Sequence, residues 1–443
     1  MFEKGKKRLA FGRRKDERDK AGMKRPPAGA DEKPRKTEEK QPSVIVKDRW
    51  EKTEEKEAAG VLVEVVNGKG CLREVYGETD NKTYLTLLFY DRTLLALQGD
   101  EYFCPTCEKM LKSGYGQEQT QEFWQNKLND DVPLTEAVEG IKPILGLLKS
   151  GYYVIADTEL YPTDGQGNLF CEVPNAEEYA EGTCIYYYGD GKWGGNTPYF
   201  MAATEPKMKL QQGRIEEYKE NPRGRALAYY MDGYMTALLD GHHKAMAAAY
   251  LHKKVPALVI LPAYQVLERD ENGDIVEMIA AGEFRWNCAL HSLHYSLKRP
   301  RENVGAEAMK QILDMIPKYG TIEVCEEGKR LAGYYPTVEA IAAYDLVGEI
   351  TDKRLQDMMS GKEALEEKAI YYVRALILQK HASLFEAVSF FLEQDAFRRE
   401  RYAIIKELTN LPKSDALVDF LIQVMVEYED AYPEMKDLIL DYV

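Results

Sequence analysis

The residues best suited to chemistry in this chain form one short polar loop. Asp240, Gly241, His242, His243 and Lys244 follow one another directly, between an apolar segment and an Ala-rich segment. Histidine exchanges protons near neutral pH, and lysine can hold an anion such as a phosphate. Glycine lets the backbone approach a ligand closely, and the first N–H groups of a following helix would point at the loop. The loop is therefore a candidate site for an anionic ligand, with acid–base groups beside it.

The segments around this loop predict the elements that would position it. Asp232-Gly233 is a two-residue hairpin signal between Tyr- and Leu-rich arms, so a β-hairpin should lead into the loop. Residues 245–253 are rich in alanine and predict a helix, and residues 255–261 are apolar and predict a strand. The expected order is hairpin, glycine-containing loop, helix and strand.

This order resembles the shared core of the ParB/sulfiredoxin-like superfamily. The likeness covers residues 228–261, and it is greatest to the branch with an Asp-Gly-His-His-Arg loop, which includes ParB-like free serine kinases and their relatives. The resemblance implies a nucleotide or another phosphorylated ligand held by the loop from Asp240 through Gly241, His242 and His243 to Lys244. A nucleotide would bring Mg²⁺ with it. Phosphoryl transfer or nucleotide hydrolysis would be assisted by His243 or Asp240.

The loop departs from the family pattern in ways that narrow the expected chemistry. ParB itself has Gly-Glu-Arg-Arg, whose arginines hold nucleotide phosphates, whereas Lys244 offers a point charge without the bidentate fork of arginine. Sulfiredoxin requires a cysteine where His242 stands, so sulfiredoxin chemistry is not expected. No helix-turn-helix segment follows, which argues against a chromosome-partition ParB.

The same side chains also have structural interpretations. One imidazole of His242 and His243 could brace the loop through hydrogen bonds to backbone carbonyls. Asp240 could form an Asx-type turn or cap the helix that follows. The sequence leaves both interpretations open.

Cysteines provide a second candidate site. Cys104 and Cys107 form a CxxC pair like one half of a zinc ribbon, and a closed structural zinc site has four ligands. The sequence has no second CxxC, so Cys171 and Cys184 are the predicted remaining ligands of a structural zinc ion. A pair of thiols without metal is the alternative.

Two further histidines allow a metal-based alternative. His291 and His294 are three residues apart and would share one face of a helix, as metal ligands must. If they converged on His242 and His243, a metal-dependent hydrolase would be favoured. Partly buried polar residues on a helix are the structural alternative.

Bulk properties limit the class of protein. The chain has 443 residues, 44% of them hydrophobic, and a net charge of −15, which argues against a general nucleic-acid binder. Only the basic clusters within residues 4–25 suggest a polyanion such as nucleic acid. The absence of long apolar runs predicts no membrane partner, and seven cysteines, an odd number, predict a reduced, cytoplasmic protein.

Composition and periodicity divide the chain into four expected regions. Residues 1–57 should be a disordered charged tail, and residues 58–150 a small α+β domain with the CxxC pair. Residues 151–335 should be a ParB/sulfiredoxin-like domain with insertions, including a hairpin at Asn272-Gly273. Residues 336–443 should be an all-α module, either a bundle or HEAT-like. The expected fold class is thus α+β.

The helical module is predicted in more detail. Amphipathic patterns place helices at residues 337–347, 364–379, 384–393, 398–408, 416–428 and 435–442, and Ser414 or Asp415 should cap the fifth. This module could dock a protein partner. The rival to a ligand-binding or catalytic function is therefore a non-catalytic interaction protein with a degenerate ParB-like domain.

Overall fold

A computed structural model gives the architecture of most of the chain. It describes residues 41–52, 58–79, 82–90, 92–93, 110, 112–116, 127–128, 132–172, 197–204, 210–269, 273, 275–282, 284–287, 298–314, 325–428 and 433–443. The part of the chain from Gln41 onward forms one compact unit with mixed α and β structure, which confirms the expected α+β class.

The strands belong to three sheets. Their bounds are β1 Ser43–Trp50, β2 Ala59–Val66, β3 Leu72–Thr79, β4 Lys82–Phe89, β5 Arg92–Thr93, β6 Gly151–Leu160, β7 Phe200–Ala203, β8 Ala226–Asp232, β9 Met235–Asp240, β10 Val255–Pro262, β11 Tyr264–Arg269, β12 Ile275–Ala281, β13 Phe284–Asn287 and β14 Arg301–Val304.

The helices lie mostly in the second half of the chain. Their bounds are α1 Leu134–Leu145, α2 Gln212–Glu220, α3 His242–Tyr250, α4 Ala306–Asp314, α5 Glu326–Ala332, α6 Val338–Val347, α7 Asp352–Met359, α8 Ala369–Leu378, α9 Leu384–Glu393, α10 Arg401–Thr409, α11 Asp415–Tyr428 and α12 Pro433–Tyr442, with a 3-10 helix at Asp395–Glu400. Among the described residues, every helix is too short or too polar to cross a membrane.

The main sheet has seven strands in the order β1-β2-β6-β10-β8-β9-β7. The strand β10 is central, pairing antiparallel with β6 and parallel with β8. Its apolar sequence suits this place, because a central strand is covered on both faces. The parallel pairing of β8 and β10 brings the two ends of the hairpin–helix–strand unit together.

Two boundaries expected from the sequence are wrong. The strand β1 lies inside the segment 1–57, where composition predicted only a tail, and it pairs antiparallel with β2. The strand β2 in turn pairs with β6 from Ala59 to Val65, so the main sheet continues across the boundary expected at residue 150. The regions 58–150 and 151–335, which were expected to be separate domains, therefore share one sheet.

The two smaller sheets consist of antiparallel neighbours, except that β14 pairs parallel with β3. One has the order β14-β3-β4-β5, and the other has the order β11-β12-β13. The hairpin predicted at Asn272-Gly273 is confirmed by the antiparallel pairing of β11 with β12, and Gly273 has a φ of +85°. Positive φ is the conformation for which glycine is preferred in tight turns.

Both faces of the main sheet are buried. In β2, Val61 and Val63 point to one face and join a core with Ile141 of α1. Leu62 points to the other face and joins a core with Ala245 of α3. This alternation is the period-two geometry of a strand. The sheet is therefore a middle layer, and the predicted loop lies on its α3 side.

The C-terminal helices have a hydrophobic core of their own, which extends from Val347 to Ile439. Helices stand at all six predicted places, and Ser414 accepts a hydrogen bond from the N–H of Leu417 at 3.3 Å, as a cap does. The helix α7 was not predicted. Its signal is Thr351, whose hydroxyl accepts the N–H of Arg354 at its N-terminus.

Candidate functional site

The predicted hairpin, helix and strand are present as β8, β9, α3 and β10, but the helix begins at His242 and ends at Tyr250 instead of covering residues 245–253. Only Gly241 connects β9 to α3, so His242, His243 and Lys244 lie in the first turn of the helix and not in a loop.

The turn is displaced by one residue from the expected Asp232-Gly233, because Gly233 and Tyr234 connect the strands. Gly233 has a φ of +54°, and its carbonyl accepts the Tyr230 hydroxyl at 2.8 Å. The positive φ explains why glycine belongs in this turn.

Gly241 joins the end of β9 to the start of α3 and occupies the N-cap position of the helix. Its φ is +101°, and a β-carbon there would lie 2.8 Å from the β-carbon of Ala226. Both the conformation and the close approach to β8 require glycine. A larger residue at position 241 would therefore be strained in its backbone and would clash with Ala226.

His242 is buried and holds β7 against the start of α3. Its Nε2 accepts the backbone N–H of Thr204 at 3.2 Å, and the Thr204 hydroxyl donates to the Leu238 carbonyl at 2.6 Å. A neutral imidazole has one donor and one acceptor nitrogen, so this bond assigns the proton to Nδ1. His242 thus acts as a brace between backbone segments.

His243 braces the other side of the loop. Its Nε2 accepts the N–H of Gln211, at the start of α2, at 3.1 Å. Burial lowers the pKa of His243 to about 4, helped by Arg214 and His242 and opposed by Asp240. The ring is therefore neutral at neutral pH. Both imidazoles play the bracing role offered above, but their backbone partners are amide N–H groups instead of carbonyls.

Asp240 is the last residue of β9 and is half-buried. The cap position belongs to Gly241, so Asp240 does not occupy it. Its charge acts on His243 by raising the pKa of that imidazole, against the larger effect of burial. The catalytic roles of Asp240 and His243 stay predictions.

Lys244 turns away from the histidines. Its side chain is mostly buried, and its Nζ donates to the carbonyl of Arg225 at 2.7 Å. The same Nζ lies 5.9 Å from the centre of the Tyr218 ring. A lysine held by a carbonyl and an aromatic face has few conformations left, so its charge has a defined position.

Lys244 lines a cleft of about 410 Å³ between α2, α3 and the start of β10. The cleft follows one face of α3, from Lys244 past Ala247 and Ala248 to Leu251, which is the i, i+3, i+4, i+7 spacing of a helix face. Its other lining residues are Glu159, Tyr218, Pro222, Arg223, Gly224, Lys253, Lys254, Val255 and Pro256. Of the loop from residue 240 to 244, only Lys244 lines the cleft, which lies beside the helix and not at its N-terminus.

Cationic side chains dominate the polar lining of the cleft. Arg223, Lys244, Lys253 and Lys254 carry positive charge, and Glu159 carries negative charge. The Arg223 guanidinium pairs with Glu217 and lies 5.9 Å from the Tyr218 ring centre. Lys254 lies 4.7 Å from the Tyr161 ring centre. The lining thus includes four cationic side chains and one anionic side chain, although the whole chain is acidic and Arg223 already pairs with Glu217.

The wall that contains Arg223 and Gly224 is fixed by the next residue. The Arg225 guanidinium donates to both carboxylate oxygens of Asp157 at 2.9 Å and to the Val132 carbonyl at 3.0 Å. A bidentate pair of this kind gives defined geometry as well as energy. The carbonyl that receives Lys244 therefore belongs to a rigid support.

Sequence reasoning missed Arg223, Lys253, Lys254 and Tyr218. The available signals were Lys253-Lys254 directly before the predicted strand, and Arg223 directly after the Asn221-Pro222 helix end. Neither segment is near the other in the sequence. Their convergence depends on the parallel pairing of β8 with β10, which places residues 223–225 beside residues 253–256.

Of the four cysteines predicted to bind zinc, only Cys171 is among the residues that the structure describes. Cys171 is buried in the core that also holds Phe170. Cys104, Cys107 and Cys184 lie outside the described residues, as do His291 and His294. Within the ranges that the structure describes, no group of three or more His, Cys, Asp or Glu residues could hold a metal ion. The four-cysteine zinc site stays a prediction.

Comparisons of the chain with family models, with curated proteins and with solved structures find no match. The resemblance of residues 228–261 to the ParB/sulfiredoxin-like superfamily therefore rests on the residues alone.

Proposed function

We propose that the cleft beside α3 binds an anionic small molecule, either a nucleotide or another phosphorylated metabolite. The observation that carries the proposal is the convergence of Arg223, Lys244, Lys253 and Lys254 on one cleft in a chain of net charge −15. Its volume of about 410 Å³ is within the range of small-molecule sites. Like charges gathered around a concavity attract an anionic ligand and raise its rate of association.

The cleft also has an apolar wall. Ala247, Ala248 and Leu251 present the side of α3, and Pro222 and Val255 complete it. Apolar surface beside charged groups favours a ligand with both kinds of surface, because burial of apolar area adds to the electrostatic attraction. A bare inorganic ion would leave this wall unused.

Lys244 gives the cleft a preorganised charge. It is only 8% exposed, and Arg225 and Tyr218 hold its ammonium group in place. A side chain already ordered before binding loses little conformational entropy when a ligand arrives. Partial burial also strengthens its attraction to an anion, since screening by water is weaker there.

The resemblance supports the same ligand class, because it implies a nucleotide near this loop. Lys244 is the loop residue that would meet the phosphates, whereas His242 and His243 hold the backbone. Phosphoryl transfer assisted by His243 would require its Nε2 to give up the Gln211 N–H. Binding is therefore the part of the predicted function that the geometry supports best. If a nucleotide brought Mg²⁺, Glu159 is a carboxylate on the cleft wall.

Titration calorimetry with pyrophosphate and with nucleotides tests the proposal. The double variant Arg223→Ala with Lys254→Ala should bind at least about tenfold more weakly, since each charge-assisted hydrogen bond is worth roughly 1.5–3 kcal/mol. Lys353→Ala with Lys406→Ala is the matched control, because both lysines are exposed on helices of the C-terminal module. The control should keep the wild-type affinity.

The alternative function is partner binding without catalysis. Ile422 and Val426 are exposed one turn apart on α11, and Leu440 is exposed on α12. If wild-type protein binds none of the anions at millimolar concentration, the cleft proposal is wrong. The exposed apolar residues of the helical module would then favour a function as a non-catalytic interaction protein.

A further inference from the structure

Two aromatic rings are stacked at the surface where α3 ends. The rings of His252 and Tyr334 have centroids 3.5 Å apart and planes inclined by 21°. Tyr334 is 52% exposed, and His252 is exposed as well. The pair therefore presents aromatic surface to solvent.

The backbone position of His252 is one that glycine usually fills. The helix α3 ends in a Schellman motif, in which the N–H of His252 bonds to the Ala249 carbonyl at 3.1 Å and the N–H of Lys253 to the Ala248 carbonyl at 2.9 Å. His252 has the left-handed conformation of this motif, with a φ of +52°. A side chain at this place carries a conformational cost that glycine avoids. The imidazole ring is present despite that cost.

The stacked pair adjoins the cationic cleft. Leu251 and Lys253, the neighbours of His252 on either side, both line the cleft. Tyr335, the residue after Tyr334, holds the backbone beside the Tyr334 ring in place. Its hydroxyl donates to the carbonyls of Lys253 at 3.1 Å and Ala248 at 3.2 Å. The backbone next to Tyr334 is thereby tied to the cleft rim.

We infer that the rings of His252 and Tyr334 form a stacking platform for the base of a nucleotide whose phosphates enter the cleft. The inference rests on the proposed function and narrows its ligand class, since an aliphatic phosphorylated metabolite has no ring to stack. Aromatic side chains beside lysines are the combination that binds bases and phosphates together, because every base has a π-face. A single mononucleotide fits the net charge of −15 better than a long polyanion does.

Calorimetric titration of the full chain with ATP and with tripolyphosphate distinguishes the contribution of the nucleoside to affinity from that of the phosphates. Wild-type protein should bind ATP about tenfold or more tightly than tripolyphosphate, which is the usual scale of one stacked base. Tyr334→Ala should reduce ATP binding to the tripolyphosphate level without changing tripolyphosphate binding. Tyr402→Ala removes a tyrosine of similar exposure from α10 and should change neither.

His252→Gly provides a second variant that should still fold, because glycine suits the left-handed position. This variant should also bind ATP more weakly while its affinity for tripolyphosphate stays unchanged. A cooperative thermal unfolding transition would show that its fold is intact. Equal loss of ATP and tripolyphosphate in both variants would mean that the rings only support the cleft, and the stacking role would be wrong.

The remaining outcomes separate this inference from the proposed function. Equal affinity of wild-type protein for ATP and tripolyphosphate overturns the stacking platform and leaves the anion cleft in place. Binding of neither overturns both. A short oligothymidylate that binds much more tightly than a mononucleotide would replace the mononucleotide with single-stranded nucleic acid as the partner.

Discussion

Gly241 lies directly against Ala226, so that a β-carbon at Gly241 would be 2.8 Å from the Ala226 β-carbon. This contact joins the start of α3 to the first residue of β8. It determines where the helix leaves the sheet, and therefore where Lys244 meets the Arg225 carbonyl. The glycine of the loop has a packing role that does not depend on any ligand.

Gly241→Ala is expected to lower the free energy of unfolding by about 2–4 kcal/mol, the combined scale of a left-handed backbone and an overpacked contact. Chemical denaturation measures the loss. Gly167→Ala is the control, because Gly167 also has positive φ, +89°, but has open space around it. It should lose only about 1 kcal/mol. Equal losses in the two variants would contradict the packing role of Gly241.

The order of elements around Gly241 was predictable because its signals are local. A turn glycine, an Ala-rich segment and an apolar strand each depend on adjacent residues, and the cap at Ser414 is equally local. The strand β1 escaped prediction because its short apolar run, Val44 to Val46, is followed by the charged residues Lys47 to Arg49 and continues a strongly charged segment. The strand lies mostly exposed at a sheet edge, so its composition resembles that of a tail. The cleft escaped because Arg223 and Lys254 meet only through strand pairing across the sheet.

His243 should make stability depend on pH. Its pKa is lowered from 6.5 to about 4 in the folded protein, so between these values the unfolded chain binds more protons. The contribution is complete above pH 6.5 and is lost as pH falls through 4, with a size of about 2–3 kcal/mol. The difference in unfolding free energy between wild type and His243→Gln should therefore shrink from pH 7 to pH 4. A difference that stays constant with pH would contradict the burial of a neutral ring.

Removing only one partner of the Arg299–Glu74 ion pair is expected to lower the free energy of unfolding substantially. The guanidinium donates to the two carboxylate oxygens at 2.8 and 2.9 Å, and Glu74 is fully buried in β3. It also donates to the Met231 carbonyl, which connects the four-stranded sheet with β8 of the main sheet. Arg299→Met leaves a buried carboxylate without this partner and should cost about 3–5 kcal/mol in denaturation experiments.

The double variant Arg299→Met with Glu74→Leu tests the cause of that cost. Removing both charges should restore most of the lost stability, since the cost comes from leaving one charge buried. If the double variant is as unstable as the single one, the contribution comes from packing or from the Met231 hydrogen bond instead.

Metal content tests the predicted zinc site. Protein purified without added zinc should contain about one zinc ion per chain, and Cys107→Ser should remove it. Cys171 is the informative comparison because it lies in the core. If Cys171→Ser keeps the zinc while Cys107→Ser loses it, the four-cysteine set is wrong and another residue completes the site.

Lys244→Met tests whether the loop lysine binds the ligand or only supports the fold. The variant keeps an apolar stem but removes the charge and the hydrogen bond to Arg225, so unfolding free energy should fall by about 1–2 kcal/mol. Pyrophosphate binding should weaken by about tenfold or more, because the removed charge lies on the cleft wall. Lys219→Met is the matched control, since Lys219 also lies over a tyrosine ring, that of Tyr250 at 5.1 Å, but does not line the cleft. If both variants weaken binding equally, the effect is general electrostatics and Lys244 is not a ligand contact. If Lys244→Met loses stability but keeps its affinity, Lys244 supports the fold alone.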